Sequence, residues 1–294
     1  MKLRWDTIIE DINLFVKLVR KSINKVCSNL KKKRGRKPKH PVNDYLTLII
    51  VKEYDKRSLR GAEVRLSRLI CNTRVDHSVI SYWENKEDVH IIINQIVKDI
   101  GSRIQRYIGY EFSMVDSTKF SNWHNNEVEF HIVNRVKEGA VYPVGTSLIT
   151  SSVSGPVEEA TPTGNCNLYG DAWYDDNKTM GVLFNKGYNP IICPNKNRFR
   201  GYWRKKARKL YRNIKNRLGY RQRGRGESVF GSVTDSYGDR IKTLTIQSTQ
   251  TRSLSRIVAY QVKILIRLLE RLLRIVRHAL KLYLKEILFS LIVL

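Results

Sequence analysis

Cysteine is scarce in this chain and never clustered. Cys27, Cys71, Cys166 and Cys193 stand alone, with no CxxC pair and no Cys/His group at zinc spacing. That pattern argues against a disulfide framework and a structural zinc, and it fits a reducing interior. Long hydrophobic runs are missing too. The only membrane candidate, Ile287 to Leu294, has eight uncharged residues, where a spanning helix needs about 20. The start, Met1-Lys-Leu-Arg-Trp-Asp6, opens an amphipathic helix and lacks a signal-peptide core, so no targeting segment and a cytoplasmic location are expected. Acid is in short supply as well: Lys+Arg outnumber Asp+Glu 54 to 27, a formal charge of +27. The excess is clustered, which implies a polyanionic partner, nucleic acid before membrane.

Against this basic background three acids stand out. Asp116, Asp171 and Glu227 are 171 − 116 = 55 and 227 − 171 = 56 residues apart. Asp116 ends the apolar run Phe112-Ser-Met-Val115, Asp171 follows Asn167-Leu-Tyr-Gly170, and Glu227 follows a wholly basic stretch. A carboxylate at the tip of a buried strand is costly unless something positive pairs with it. Three that converge repel one another, and a divalent cation relieves the repulsion. Oxygen donors without thiolates suit Mg2+ or Mn2+. Asp175 and Asp176 rival Asp171; Asp171 follows the strand directly, whereas Asp175 is better placed to cap the next helix.

Four units are expected along the chain: residues 1–40, 41–109, 110–252 and 253–294. Ile8, Ile12, Phe15, Val19, Ile23, Val26 and Leu30 make one apolar helical stripe, packing within the chain rather than in a dimer. Lys31 to Lys39 carries seven basic residues and Pro38, a flexible arm with Arg34, Arg36 and Lys37 available to phosphates. Residues 42–108 read as all helix: 42–54, then 58–70 with Leu59, Ala62, Leu66 and Leu69 on one face. A short helix capped by Asp76 follows, and a long one from about 89 to 108. The short helix turns Val79, Ile80 and Trp83 inward and leaves His77, Ser78, Ser81, Tyr82 and Asn85 outward. That is the layout of a helix-turn-helix whose second helix enters a major groove.

Strands begin at Tyr110. Residues 111–115 form a short strand, 128–136 and 140–151 a hairpin, then a loop with Gly155, Pro156, Pro162 and Gly164 leads to a strand ending at Asp171. A helix at about 175–184, a strand at 190–193 and a helix from Glu227 complete an α/β layer, with Asp116 and Asp171 at strand C-terminal ends. Residues 195–225 form a basic insert of fourteen Lys/Arg and no acid, interleaved with Phe199, Tyr202, Trp203, Tyr211 and Tyr220. That mixture suits backbone tracking and base stacking, while Trp203 and Tyr211 can equally anchor the segment to a core. Residues 255–286 read as one helix with a stripe of Lys263, Arg267, Arg271, Arg274, Arg277, Lys281 and Lys285, solvated or on DNA.

Four pieces of the chain resemble the DDE transposases of bacterial and archaeal insertion sequences. Met114-Val-Asp-Ser-Thr-Lys119 looks like their first-aspartate strand and Asp171-Ala-Trp-Tyr-Asp175 like their second-aspartate motif. Tyr220, Arg223 and Glu227 have the spacing tyrosine, two residues, arginine, three residues, glutamate. Ser58-Leu-Arg-Gly-Ala62 through Asp76 to Trp83 looks like the helical DNA-binding region of one branch. The likeness spans roughly residues 34–270. Two departures stand out. Thr234 replaces a lysine often found seven residues beyond the glutamate, leaving Arg240 or Lys242 as substitutes. Asn185-Lys-Gly-Tyr188-Asn189 mimics an aspartate motif without a carboxylate.

The resemblance implies an RNase H-like mixed sheet with flanking helices, preceded by an all-α helix-turn-helix-like region and followed by a long C-terminal helix. It implies phosphodiester hydrolysis and strand transfer on double-stranded DNA by a homodimer or larger assembly, in a nucleoid-associated prokaryotic protein without membrane contact. Asp116, Asp171 and Glu227 would hold two Mg2+ ions, Asp116 bridging both. Arg223 would grip a phosphate bidentately. Tyr220 would stack on the strand or belong to the core; Lys119, Arg221, Arg225, Arg34, Arg36, Lys37, His77, Ser78 and Ser81 would contact DNA. The competing functions are a non-catalytic DNA binder, an inactivated remnant, and a nuclease that cuts without joining. Charge alone generates one prediction: duplex DNA affinity falls roughly 1000-fold or more between about 50 and 200 mM salt. A binding titration across that range checks it, and a flat response counts against backbone contacts.

Overall fold

The computed structural model describes residues 11–28, 37–137, 140–149, 153–197 and 200–292, with side chains to 281. Ile8, Leu30, Arg34, Arg36 and Phe199 lie outside the described residues. Helix α1 (Ile12–Cys27) starts where Asp11 accepts the Asn13 and Leu14 N–H groups at 2.9 and 3.0 Å. Its Phe15, Leu18, Val19 and Ile23 are buried within the chain, and α1 packs on α2 (Val42–Tyr54). Helices α3 (Leu59–Gly61) and α4 (Ser67–Cys71) are one continuous helix interrupted by a π turn at Ala62–Leu66. Ala62 and Leu66 are buried as expected, but Leu69 is exposed. The π turn shifts the helical phase, which a 3.6-residue stripe does not anticipate. Asn72, left-handed at φ 59, ends α4, and Asp76 caps α5 (His77–Glu84) through Ser78 N–H at 2.7 Å. Helix α6 (Glu87–Ile108) carries Glu87 and Asp88 in its first turn, where acid favours the helix dipole, and stops at Gly109, φ 67.

Strand β1 (Phe112–Ser121) is ten residues long; the short strand expected to end at Val115 continues past Asp116. β2 (Glu127–Lys137) and β3 (Ala140–Leu148) form the expected hairpin. The stretch read as loop contains α7 (Ser154–Ala160), whose Pro156, Val157 and Ala160 are buried. It is held close on β3, where Ser147 Oγ donates to the Pro156 carbonyl at 2.5 Å. Then come β4 (Asn167–Gly170), α8 (Asn177–Asn185) and β5 (Asn189–Ile192). The sheet order is β3-β2-β1-β4-β5, with β1–β3 antiparallel and β4 and β5 parallel to β1.

The basic segment is helical: α9 (Tyr202–Arg212), α10 (Ile214–Tyr220) and a 3-10 turn at Arg221–Arg225 lead into α11 (Glu227–Tyr237). Trp203 stacks on Phe184 of α8 with ring centroids 5.5 Å apart, so it anchors the segment while most of its cations face solvent.

Helix α12 (Ile246–Ile292) is 47 residues long. It begins earlier than expected, because a Ser/Thr-rich stretch reads poorly as helix. Here the hydroxyls bond back to carbonyls one turn earlier: Ser253 to Thr249 and Ser255 to Thr251, both at 2.7 Å. The 252/253 division therefore falls inside one helix. From Ser248 to Leu268 most of α12 is buried against α2, α6 and the sheet. Within the presumed basic stripe Arg267 is buried and Lys263 half-buried, its ammonium pushed down to about 8 by burial. Arg271, Arg274, Arg277 and Lys281 are exposed; Lys285 lies beyond the described side chains. Gly101 lets α6 sit directly on β3, since a Cβ there would lie 2.6 Å from Val144 Cα.

A buried ion network ties the helical region to α12. Glu53 Oε1 meets Lys52 Nζ at 2.5 Å and Arg252 at 2.6 Å, and its Oε2 accepts from Arg256 at 2.9 Å. Lys52 also reaches Glu84 at 2.9 Å. Burial alone would raise the Glu53 carboxyl, but Lys52, Arg252 and Arg256 hold it well below the usual carboxylate range. A group with a depressed folded pKa stabilises above its unfolded value and loses that contribution as pH falls through the folded one. Glu53→Gln should destabilise the protein by about 3–5 kcal/mol at pH 7 by leaving cations unpaired, and should flatten the loss of stability below about pH 4. Denaturant melts of both proteins across pH 3–7 check this.

Candidate active site

The register of β1 against β4 sets the height of two acids. Met114 pairs with Tyr169 in parallel, so two residues further along Asp116 is level with Asp171, just past the end of β4. Asp116 therefore lies inside its strand, not at the tip. Both acids are half-buried. Asp116 accepts the Ser117 N–H at 2.9 Å; Asp171 accepts the Trp173 N–H at 2.9 Å and caps the 3-10 turn Ala172–Tyr174. Glu227 opens α11. The Gly226 before it packs on Met114, a Cβ there lying 3.5 Å from the methionine methyl. Strand alternation puts Met114 and Asp116 on one face, so the start of α11 overlies the face that carries Asp116.

Asp116 senses the other two carboxylates. Burial raises the Asp116 carboxyl, Asp171 and Glu227 add to the rise, and the Ser117 N–H and the Arg223 guanidinium oppose it. Their oxygens do not all lie within 4.8 Å of one another, whereas those of two other described groups do, His40–Asp44–Cys71 and Glu63–Asp76–His77. The Glu227 side chain is 61% exposed, with Arg223 Nη2 3.4 Å away. Oxygen donors without a thiolate are the donor class a hard divalent cation takes.

Asp175 has a different job. It is fully buried and takes a two-pronged contact from Arg204, Nε to Oδ1 at 2.9 Å and Nη2 to Oδ2 at 2.7 Å, plus the Asn195 N–H at 2.7 Å. Burial opposes ionisation there, but Arg204 and Asn195 outweigh it and keep the carboxyl low. The helix cap expected of Asp175 is made by Asp176, which accepts the Thr179 N–H at 3.0 Å. No local pattern singled out Arg204 among fourteen basic neighbours. His131 of β2 also carried no sequence signal. It is buried, its Nδ1 3.0 Å from Tyr174 Oη and its imidazole pushed down to about 4 by burial.

The other sequence candidates divide. Tyr220 lies edge-on to Tyr169 and Tyr211, centroids 6.5 and 5.4 Å away, its phenol pushed up to about 12 by burial; its ring is packed in the protein. Lys119 is an odd number of residues from Asp116, so it points to the opposite face, where it pairs with Glu127 at 3.0 Å. Arg221 is exposed, and Arg225 donates to Gln222 at 3.0 Å. Arg240, a candidate substitute for the missing lysine, sits 5.6 Å from the exposed Trp123 ring. In the helical region His77 is held by Glu63 at 2.9 Å and Ser78 by Asp76, while Ser81 is half-buried. Asn85 accepts from Thr245 at the root of α12 and is not free. Tyr82 and Lys37 are exposed.

Residues 156–262 match the family model of the transposase DDE domain. The match includes Asp171 and Glu227 and begins after Asp116. No curated protein and no solved structure matches the chain. Among the described residues no helix is long and apolar enough to cross a membrane.

Stability separates the two neighbouring aspartates. Asp171→Asn removes a negative charge that opposes ionisation of Asp116 and should leave the melting midpoint unchanged or higher. Asp175→Asn strips the partner from a buried guanidinium and should cost about 3 kcal/mol. Parallel urea melts read the difference, and equal losses would reverse the assignment.

Proposed function

We propose that this chain, in which residues 156–262 match the transposase DDE domain, is a DDE-type transposase that cuts and joins DNA at the ends of a mobile element through Asp116, Asp171 and Glu227. The observation that carries the reading is the electrostatic convergence of three carboxylates from β1, the end of β4 and the start of α11. The strand order and mixed pairing support an RNase H-like catalytic unit.

Asp116, Asp171 and Glu227 would together hold Mg2+ (or Mn2+), two ions in all. Bound there, the metal supplies charge neutralisation and a more acidic attacking water or 3′-hydroxyl. Arg223, held beside Glu227, is placed to release that carboxylate and grip the scissile phosphate. Tyr220 buttresses the turn that carries Arg223. The exposed cations of α9 and α10, with Arg221 and Arg225, would track the flanking backbone. The α5 helix would enter a groove in a helix-turn-helix arrangement with Ser78 and Tyr82 outward, and Arg34, Arg36 and Lys37 would follow phosphates beside it. A homodimer or larger assembly would bring two ends together.

Duplex ends of the parent element with Mg2+ test the reading. Wild type should give cut and joined strands, and Asp171→Asn should lose both by about 1000-fold or more while binding DNA as well or better. Binding without products from either protein indicates a DNA-binding remnant. Cutting without joining indicates a nuclease. Undiminished products from the variant remove Asp171 from the site.

A further inference from the structure

We infer that His40, Asp44 and Cys71 form a second metal site, for a zinc-class cation, at the joint between the basic arm and the helical region. One nitrogen, one carboxylate oxygen and one sulfur from these residues lie within 4.8 Å of one another. Zinc binds this mixture of donors, and three protein ligands leave a fourth position for water. The thiolate excludes Mg2+, so the site is chemically separate from the three carboxylates. The inference does not rest on the proposed function.

Each ligand is held by a different element. His40 precedes α2, Asp44 lies in its first turn, and Cys71 ends α4. The Thr73 hydroxyl lies 3.1 Å from His40 Nε2, and Tyr45 packs edge-on against the imidazole with centroids 5.9 Å apart. Partners of this kind fix the orientation of a ligating ring. Arg20 is the competing cation: its Nη2 donates to Asp44 Oδ1 at 2.8 Å and to the Ile70 carbonyl. It engages one carboxylate oxygen, leaving Oδ2 for a metal. Binding breaks the Cys71 S–H bond, forms a sulfur–metal bond and releases the proton to solvent. The bound ion would clamp His40, where the run of seven basic residues ends, onto the end of α4, and so fix the direction in which the arm leaves the protein.

The test uses the full chain, stripped with chelator and then titrated with Co2+ in excess Mg2+, reading the thiolate-to-cobalt charge-transfer absorption. Wild type should saturate at one equivalent, and Zn2+ should bleach the band. Cys71→Ser should abolish it, and His40→Ala should weaken binding about tenfold or more. The triple variant Cys27→Ser/Cys166→Ser/Cys193→Ser and the Asp171→Asn variant should both retain it. No band in wild type, or a band that survives Cys71→Ser, overturns the site and leaves Arg20 as the cluster's resident cation. If circular dichroism shows Cys71→Ser unfolded, His40→Ala decides: wild-type cobalt affinity in that variant is equally fatal.

Discussion

A single buried carboxylate organises much of this protein. Glu53 is enclosed by Lys52 from its own helix and by Arg252 and Arg256 from α12. Charge drawn out of water needs close partners on every side, and these cations have further obligations. Arg256 donates to the Gly238 carbonyl just after α11, and Arg252 to the Lys242 carbonyl. The helix that begins with Glu227 is therefore pinned at its far end by the network that joins the helical region to the central helix. Removing one member disturbs both regions, because a low-dielectric interior transmits an unpaired charge instead of screening it.

The candidate acids stand on that frame at different depths: Asp116 and Asp171 are half-buried and Glu227 is exposed. Asp116 lies in β1 and Asp171 just past the end of the adjacent parallel strand β4, and the β1–β4 pairing fixes their relative height. Glu227 stands on a helix end preceded by Gly224 and Gly226, with Arg223 Nη2 3.4 Å from its exposed carboxylate. Asp171 and Asp175, four residues apart, show how environment separates identical groups. One faces like charge at a surface; the other is neutralised in the interior by a guanidinium.

Pattern reading succeeded where local physics dominates. The apolar stripe of Phe15, Val19 and Ile23, the Asp76 cap, the β2–β3 hairpin and the helix start at Glu227 all depend on neighbours a few residues away. It failed where distant partners override local preference. Ser154–Ala160 is helical because β3 supports it, the start of α12 because buried hydroxyls bond back to their own helix, and Leu69 is exposed because a π turn rotates the phase. Lys119, which the resemblance placed among the DNA contacts, lies on the opposite strand face from Asp116 by simple alternation.

Sequence by itself determined the charge balance and the alternation and periodicity of the elements, because each is a property of residue type and short-range spacing. Only the tertiary structure decided that Asp171 stands level with Asp116, that Arg204 belongs to Asp175, that Arg267 is buried while Arg271 is not, and that His40, Asp44 and Cys71 meet. Those relations join residues tens to hundreds of positions apart, and the packing that closes such distances is a sum over the whole chain that no local window contains.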